Sequence, residues 1–127
     1  MIIVKLQGGL GNQMFQYAIG RQLSIINNAN LKLDLTFLLD RTPREHLTFR
    51  NYELDAFRIN PLIAEESEVR LFNLNDPVSR IKRLFVSTKL VREKNLRFQT
   101  TILNSGDHVY LNGYWQCEKY FDAIRTE

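Results

Sequence analysis

Met1-Ile2-Ile3-Val4-Lys5-Leu6-Gln7-Gly8-Gly9-Leu10-Gly11-Asn12-Gln13-Met14-Phe15-Gln16-Tyr17 opens the chain, and the change of pattern inside it decides the fold class. Residues 2–6 are aliphatic and largely β-branched, too brief for a helix and closed by two glycines, which reads as a buried strand. From Asn12 the period changes. Met14, Phe15, Ala18, Ile19, Leu23, Ile25 and Ile26 gather on one broad half of a helical wheel, with Gln13, Gln16, Arg21, Ser24 and Asn27 on the other. The apolar half is therefore expected against a sheet. Asn27 and Asn28 end the helix, since asparagine tolerates the left-handed backbone that helix C-termini adopt. Leu31, Leu33 and Leu35 then alternate with Lys32 and Asp34, a second strand. Strand, glycine turn, helix and strand make a βαβ unit, which implies an α/β fold with a parallel sheet and a right-handed crossover.

Outward from that unit the signals thin. Residues 40–50 are polar, contain Pro43 and follow neither period, so they read as a loop. Glu65, Glu66 and Glu68 form an acidic first turn ahead of Val69, Leu71, Phe72 and Leu74. Pro77 suits the first position of another helix carrying Val78, Ile81, Leu84 and Phe85. Residues 109–112 are a strand ended by Gly113, and Cys117, Tyr120, Phe121 and Ile124 share one face of a helix predicted over 116–125. No repeat or linker divides the chain, and 127 residues fill one ordinary core, so residues 1–127 are expected to form a single domain.

Composition excludes several classes. With 44% hydrophobic and 24% charged residues the chain is an ordinary globular protein. A net charge of +3 is small for nucleic-acid binding, so no nucleic-acid partner is expected. The positive excess lies between residues 79 and 99, where Arg80, Lys82, Arg83, Lys89, Arg92, Lys94 and Arg97 face Glu93 alone. That stretch reads as a solvated basic face, with attraction of anions as the second option. The first residues are too few for a leader or a membrane span, and a lone Cys117 permits no internal disulfide, which together lead to a cytoplasmic expectation. There is no Asp-x-Asp, and Cys117, His46 and His108 lack zinc spacing, so no metal and no cofactor are expected.

The chemistry concentrates at the two junctions. Where a strand turns into a helix, the first backbone N–H groups are free and the helix dipole is positive, which suits a phosphate or a polar sugar group. Gly8, Gly9 and Gly11 allow positive φ and close approach, and the amides of Asn12 and Gln13 donate and accept at once, as hydroxyl-rich ligands require. The plainer alternative is that the glycines only turn the chain and the amides only cap the helix. A dinucleotide fingerprint fits poorly, because its third glycine falls on Met14, whose bulk is expected to obstruct helix-to-strand packing. At the second junction Tyr114, Trp115 and Gln116 offer an aromatic wall with an amide for stacking a sugar ring, although Trp115 fits a core role equally well. Asp34 and Asp55 are candidate bases that no spacing selects. Residues 78–85 read as a surface helix, or as a basic amphipathic segment resting on anionic lipid.

Residues Gly8-Gly9-Leu10-Gly11-Asn12-Gln13-Met14-Phe15-Gln16-Tyr17-Ala18 closely resemble the N-terminal signature of glycosyltransferase family 11, the galactoside α-1,2-fucosyltransferases. The resemblance recurs at Tyr52-Glu53-Leu54-Asp55-Ala56-Phe57 and at Gly113-Tyr114-Trp115-Gln116-Cys117-Glu118-Lys119-Tyr120-Phe121, in family order along nearly the whole chain. It implies an inverting, metal-independent transferase that moves L-fucose from GDP-β-L-fucose (GDP-fucose) to the 2-hydroxyl of a galactoside during surface-glycan or O-antigen synthesis. The implied architecture is GT-B, with this chain as its acceptor-side, N-terminal half, a Rossmann-like parallel sheet with flanking helices. The related protein O-fucosyltransferases carry a similar Gly-x-x-Gly-Asn-Gln turn whose Asn lies in the active site. By that similarity Asn12 is the expected catalytic contact, with Gly8, Gly9, Gly11 and Gln13 shaping the pocket and Tyr114, Trp115 and Gln116 as further substrate-binding residues.

The family's His-x-Arg-Arg-Gly-Asp-Tyr nucleotide motif has no match here: His46 precedes Leu47, His108 precedes Val109, and no Arg-Arg pair exists. An incomplete chain, inactive alone and lacking the donor domain, is therefore expected. Its partners in the whole protein are then GDP-fucose and a galactoside-containing glycan, with peripheral membrane contact and homo-oligomerisation through uncovered apolar surface as further options. A non-catalytic sugar-binding module is the rival reading, and a nucleotide-binding oxidoreductase domain the third.

Overall fold

The computed structural model describes residues 1–72 and 76–126; Leu74, expected on a helical stripe, lies outside them. Five strands, β1 (Ile2–Lys5), β2 (Leu31–Asp34), β3 (Leu62–Ile63), β4 (Lys89–Arg92) and β5 (Val109–Asn112), form one sheet in the order β3-β2-β1-β5-β4. All four pairings are parallel. Ile2, Ile3 and Val4 are fully buried because β1 is covered on both faces and paired on both edges, with Ile2 in register with Leu31 on one side and Val109 on the other.

The helices are α1 (Leu10–Ile26), α2 (Thr36–Leu39), α3 (Glu66–Arg70), α4 (Pro77–Lys82) and α5 (Thr100–Leu103). Stepping from β1 to β2, β2 to β3 and β4 to β5 moves the same way across the sheet, so right-handed crossovers put those connections on one face. The main core agrees: Ile2, Val4, Leu33 and Leu111 pack with Ile19 and Leu23 of α1, with Leu38 and Leu54, and with Ile102 of α5. The step from β3 to β4 runs the other way, and its residues Val69 and Phe72 pack with Ile3 and Tyr110 on the opposite face. Phe72 and Tyr110 stack there at 4.3 Å. The α/β, Rossmann-like expectation holds.

Helix α1 departs from the wheel. Its sheet side runs through Gln13, Gln16, Gly20 and Leu23, while Met14, Ile25 and Ile26 are exposed. Burying the amides is possible because each finds backbone partners in the flanking loops. Met14, 46% exposed, obstructs nothing. Close approach to the sheet is made at Gly20 instead, where an added Cβ would stand 2.5 Å from Val4 Cγ2 and 2.8 Å from Leu31 Cδ1. Asn28 closes the helix with φ 48, as expected of asparagine at a C-terminus.

The acidic start of α3 is a capping box between Glu65 and Glu68, and Glu68 also pairs with Lys32 of β2 at 2.6 Å. Asp76 caps α4 by accepting from the Val78 and Ser79 amides, each at 3.1 Å. The helix expected over 116–125 is broken. Two 3-10 turns, Glu118–Tyr120 and Asp122–Ile124, meet at Phe121, whose φ of −140 no α-helix accommodates. Strands β3 and β4, which the sequence reading did not place, complete the sheet.

Candidate active site

The first glycine turn sits at the carboxyl end of β1, where open α/β sheets bind their ligands. Gly9 is the N-cap of α1, and no side chain caps it. Gly8 has φ 80, and a Cβ there would stand 2.2 Å from Asn12 Nδ2. Only glycine therefore lets Asn12 lie back over the turn. Asn12 Oδ1 accepts from Gln116 Nε2 at 2.6 Å, so the two junctions singled out by sequence meet through these amides. Gly11 has nothing within 4 Å of where its Cβ would be, which leaves that flank open to an incoming group.

Two glutamines on α1 hold the surroundings. Gln13, 0% exposed, donates through Nε2 to the carbonyls of Gly8 at 3.0 Å and Asn51 at 2.8 Å and accepts from the Glu53 amide at 3.0 Å. Gln16 accepts from the Gln7 amide at 3.0 Å and donates to the carbonyls of Gln7 and Gly113, both at 3.2 Å. The three separate segments that carry the family resemblance thus converge on the amino end of α1. Gln13, expected to shape the pocket, does so through three hydrogen bonds between its side-chain amide and backbone groups.

Trp115, expected among the substrate-binding residues, takes the core role instead. It is 0% exposed, packed edge-on against Tyr120 with ring centroids 5.8 Å apart, and held at φ 59. A sugar ring has no access to it. Glu93, at the end of β4, fixes that unusual backbone by accepting from the amides of Tyr114 at 2.7 Å and Trp115 at 3.1 Å. Gly113 is required beneath it, because a Cβ there would lie 2.5 Å from Glu93 Cβ. Tyr114, by contrast, is exposed and lines a cavity of about 200 Å³ together with Gly8, Leu38, Phe49 and Arg50.

Arg50, Glu53 and Glu93 are the functional candidates that sequence reading passed over. Arg50 Nη1 and Glu53 Oε2 come within 3.8 and 4.0 Å of the position a Cβ on Gly9 would take. Arg41 braces their loop by donating to the Arg50 carbonyl and to Asn51 Oδ1. An uncapped helix end beside a guanidinium favours an anionic oxygen, and the Asn12 and Gln116 amides favour hydroxyls. Only the motif-like Tyr52-Glu53-Leu54 run signalled this loop, and nothing in the spacing signalled Glu93.

Of the candidate bases, Asp55 is exposed on the 3-10 turn Leu54–Ala56. Asp34 is 1% exposed and committed, accepting from the Tyr110 hydroxyl at 2.5 Å and from the Thr36 amide and hydroxyl at 2.9 and 2.7 Å. Burial, and then the Asp34 charge, push the Tyr110 phenol far above its ordinary range. Asp34 lines a separate pocket of about 520 Å³ on the face away from α1.

Along residues 78–85 the apolar side chains point outward, with Leu84 81% and Phe85 86% exposed beside Arg80 and Lys82. Among the described residues no helix is long and apolar enough to cross a membrane, and no group of three or more His, Cys, Asp or Glu side chains is arranged to hold a metal ion.

Fold and site together define a Rossmann-like α/β module with a polar, amide-lined cleft at the carboxyl ends of its strands. Compared with known proteins, the chain is similar to an alpha-1,2-colitosyltransferase from Escherichia coli, a glycosyltransferase, at 29% identity over 124 residues. The alignment covers 95% of this chain and 41% of that protein, so the chain spans about two-fifths of its relative's length. No family model and no solved structure matches.

Proposed function

We propose that this chain is the acceptor-side part of a glycosyltransferase that moves a 6-deoxy sugar, L-fucose, from GDP-fucose to the 2-hydroxyl of a galactoside. The observation that carries the reading is the convergence of the three fucosyltransferase-like segments on the amino end of α1 through Gln13, Gln16 and the Asn12–Gln116 hydrogen bond. Similarity to a colitosyltransferase supports transfer of a deoxy sugar through a 1,2 linkage. Colitose differs from L-fucose only in lacking the 3-hydroxyl, so the 3-deoxy donor is the alternative substrate.

In this reading the galactose oxygen attacks the anomeric carbon as the bond to the GDP phosphate oxygen breaks, with inversion. The Asn12 amide and the free N–H groups of α1 stabilise charge that develops during transfer, and in-line approach is set by the cleft. Glu53 is the carboxylate beside the turn available to receive the acceptor's proton. The reaction uses no metal and runs on the cytoplasmic side, on glycans destined for the cell surface.

The test is a transfer assay with the protein at its full natural length, offering GDP-fucose and its 3-deoxy analogue to a β-galactoside. Asn12→Ala is expected to lower kcat by roughly 10²–10³ through loss of one positioned donor. Transfer of neither sugar would sink the proposal. The 127-residue chain alone is expected to show no turnover and no tight GDP binding; turnover by it that Asn12→Ala abolishes would overturn the view that a second part is needed.

A further inference from the structure

On the face away from α1 the carboxyl ends of β1, β2 and β4 border open space, with the start of the β2–β3 connection, at Phe37, Asp40 and Arg44, forming one wall. They form, with β5, the pocket of about 520 Å³ that Lys5, Asp34, Tyr110, Asn112, Arg92 and Arg44 help to line. Its one buried carboxylate is committed, since Asp34 already accepts from Tyr110 and twice from Thr36. Arg44 is paired with Asp40. Lys5 is different. Its ammonium rests over the Phe37 ring at 4.7 Å, and among the described residues no carboxylate lies within ion-pair distance of it.

The geometry points to this pocket as a binding site for an anionic sugar, its carboxylate or phosphate seated between Lys5 and Arg92 and its hydroxyls facing Asn112. Burial lowers the Lys5 pKa; Asp34 opposes that, and Arg92 and Arg44 add to it. An incoming anion relieves that strain. The pocket shares Phe37 and Asp40 with the smaller cavity at the glycine turn. One extended glycan can therefore place its charged residue at Lys5 and its reacting hydroxyl near Asn12. That use as an acceptor subsite rests on the transferase reading, whereas the binding itself does not.

The experiment is a titration of the ¹⁵N-labelled chain with D-glucuronate, galactose 1-phosphate, galactose and inorganic phosphate, read at the Lys5, Arg92 and Asn112 amides. At least one acidic sugar is expected to shift them, with galactose leaving them in place and inorganic phosphate binding more weakly. Whichever acidic sugar binds more tightly identifies the charged group. Lys5→Gln and Arg92→Gln are each expected to weaken that binding about tenfold or more; Arg92 is exposed, so its replacement leaves the fold intact. Equal binding of galactose, phosphate binding as tightly as the acidic sugar, unchanged binding by both variants, or no shift at all would each overturn the assignment. Sugar transfer by the full-length protein without this binding would fault the pocket alone, and binding without transfer would fault the transferase reading alone.

Discussion

Gln16, buried in the second turn of α1, donates to the carbonyl of Gly113 at 3.2 Å while exchanging two hydrogen bonds with Gln7. One side chain thus joins the loops that leave the two central strands. Gln16→Leu keeps the volume but strands three backbone groups. A loss of roughly 2–4 kcal/mol is expected in urea unfolding, because each buried group left unpaired costs about 1–3 kcal/mol. A loss under about 1 kcal/mol would mean that water replaces the amide.

The glycines of α1 separate packing from access. Gly20→Ala forces a methyl against Val4 and Leu31 and is expected to cost about 1–3 kcal/mol through overpacking. Gly11→Ala meets open space inside a helix and is expected to leave stability unchanged or raise it by up to about 1 kcal/mol. If the proposed substrate approaches this flank, the same Gly11→Ala raises KM in the transfer assay. Thermal unfolding and kinetics on the two variants check both halves.

Gly8→Ala confronts Asn12 directly, since its methyl would overlap Asn12 Nδ2 and its φ of 80 disfavours any side chain. The strain is worth about 1–3 kcal/mol. The variant is expected to match Asn12→Ala in activity, and the double variant to be no worse than either single. Additive losses would place the two residues in separate roles.

Tyr110 makes stability fall in alkali. Its folded phenol holds its proton well above the ordinary value of 10.0, so its contribution is complete below that pH. As pH rises further, the unfolded tyrosine releases its proton and the folded one does not, and stability declines. Lys5 faces the same pocket and acts in the opposite sense, because burial lowers its folded pKa below 10.5. Comparing Tyr110→Phe with the parent isolates the phenol. The variant is expected to lose about 1–3 kcal/mol at neutral pH, where Asp34 loses a donor, and to show a shallower decline above pH 10.

Leu84 and Phe85 stand in water beside basic side chains. Leu84→Ser with Phe85→Ser is expected to change stability by less than about 0.5 kcal/mol, as exposed sites do. If the segment rests on lipid, the same change lowers cosedimentation with phosphatidylglycerol vesicles. Equal sedimentation by both forms would leave the peripheral membrane contact without a site.

The βαβ unit was readable because Ile2, Ile3 and Val4 and the leucines of β2 carry period and punctuation together. Helix α1 was placed correctly and turned wrongly. A wheel sorts amides with the polar side, yet Gln13 and Gln16 face inward because loops 38 and 97 residues away supply their partners. Strand β3 has two residues, and Val91 and Leu90 of β4 sit among basic neighbours, so neither shows a period. The cleft was half visible: Asn12 and Gln116 are hydrogen-bonded and Gly8 and Tyr114 line one cavity, a juxtaposition that no spacing foretold, whereas Trp115 went to the core. The pocket at Lys5 was not visible at all, because Asp34 and Tyr110 are 76 residues apart and only the sheet brings them together.

The central position of β1 has a consequence for the order in which this protein is built. Of the five strands it is the first to leave the ribosome, and Val109 of β5, its partner opposite Ile2, is the last to emerge. Until residues 109–112 emerge, one edge of β1 is a bare row of backbone donors and acceptors on an aliphatic stretch of the chain. The nascent protein therefore depends on rapid closure by β5, or on a chaperone that occupies its place until then.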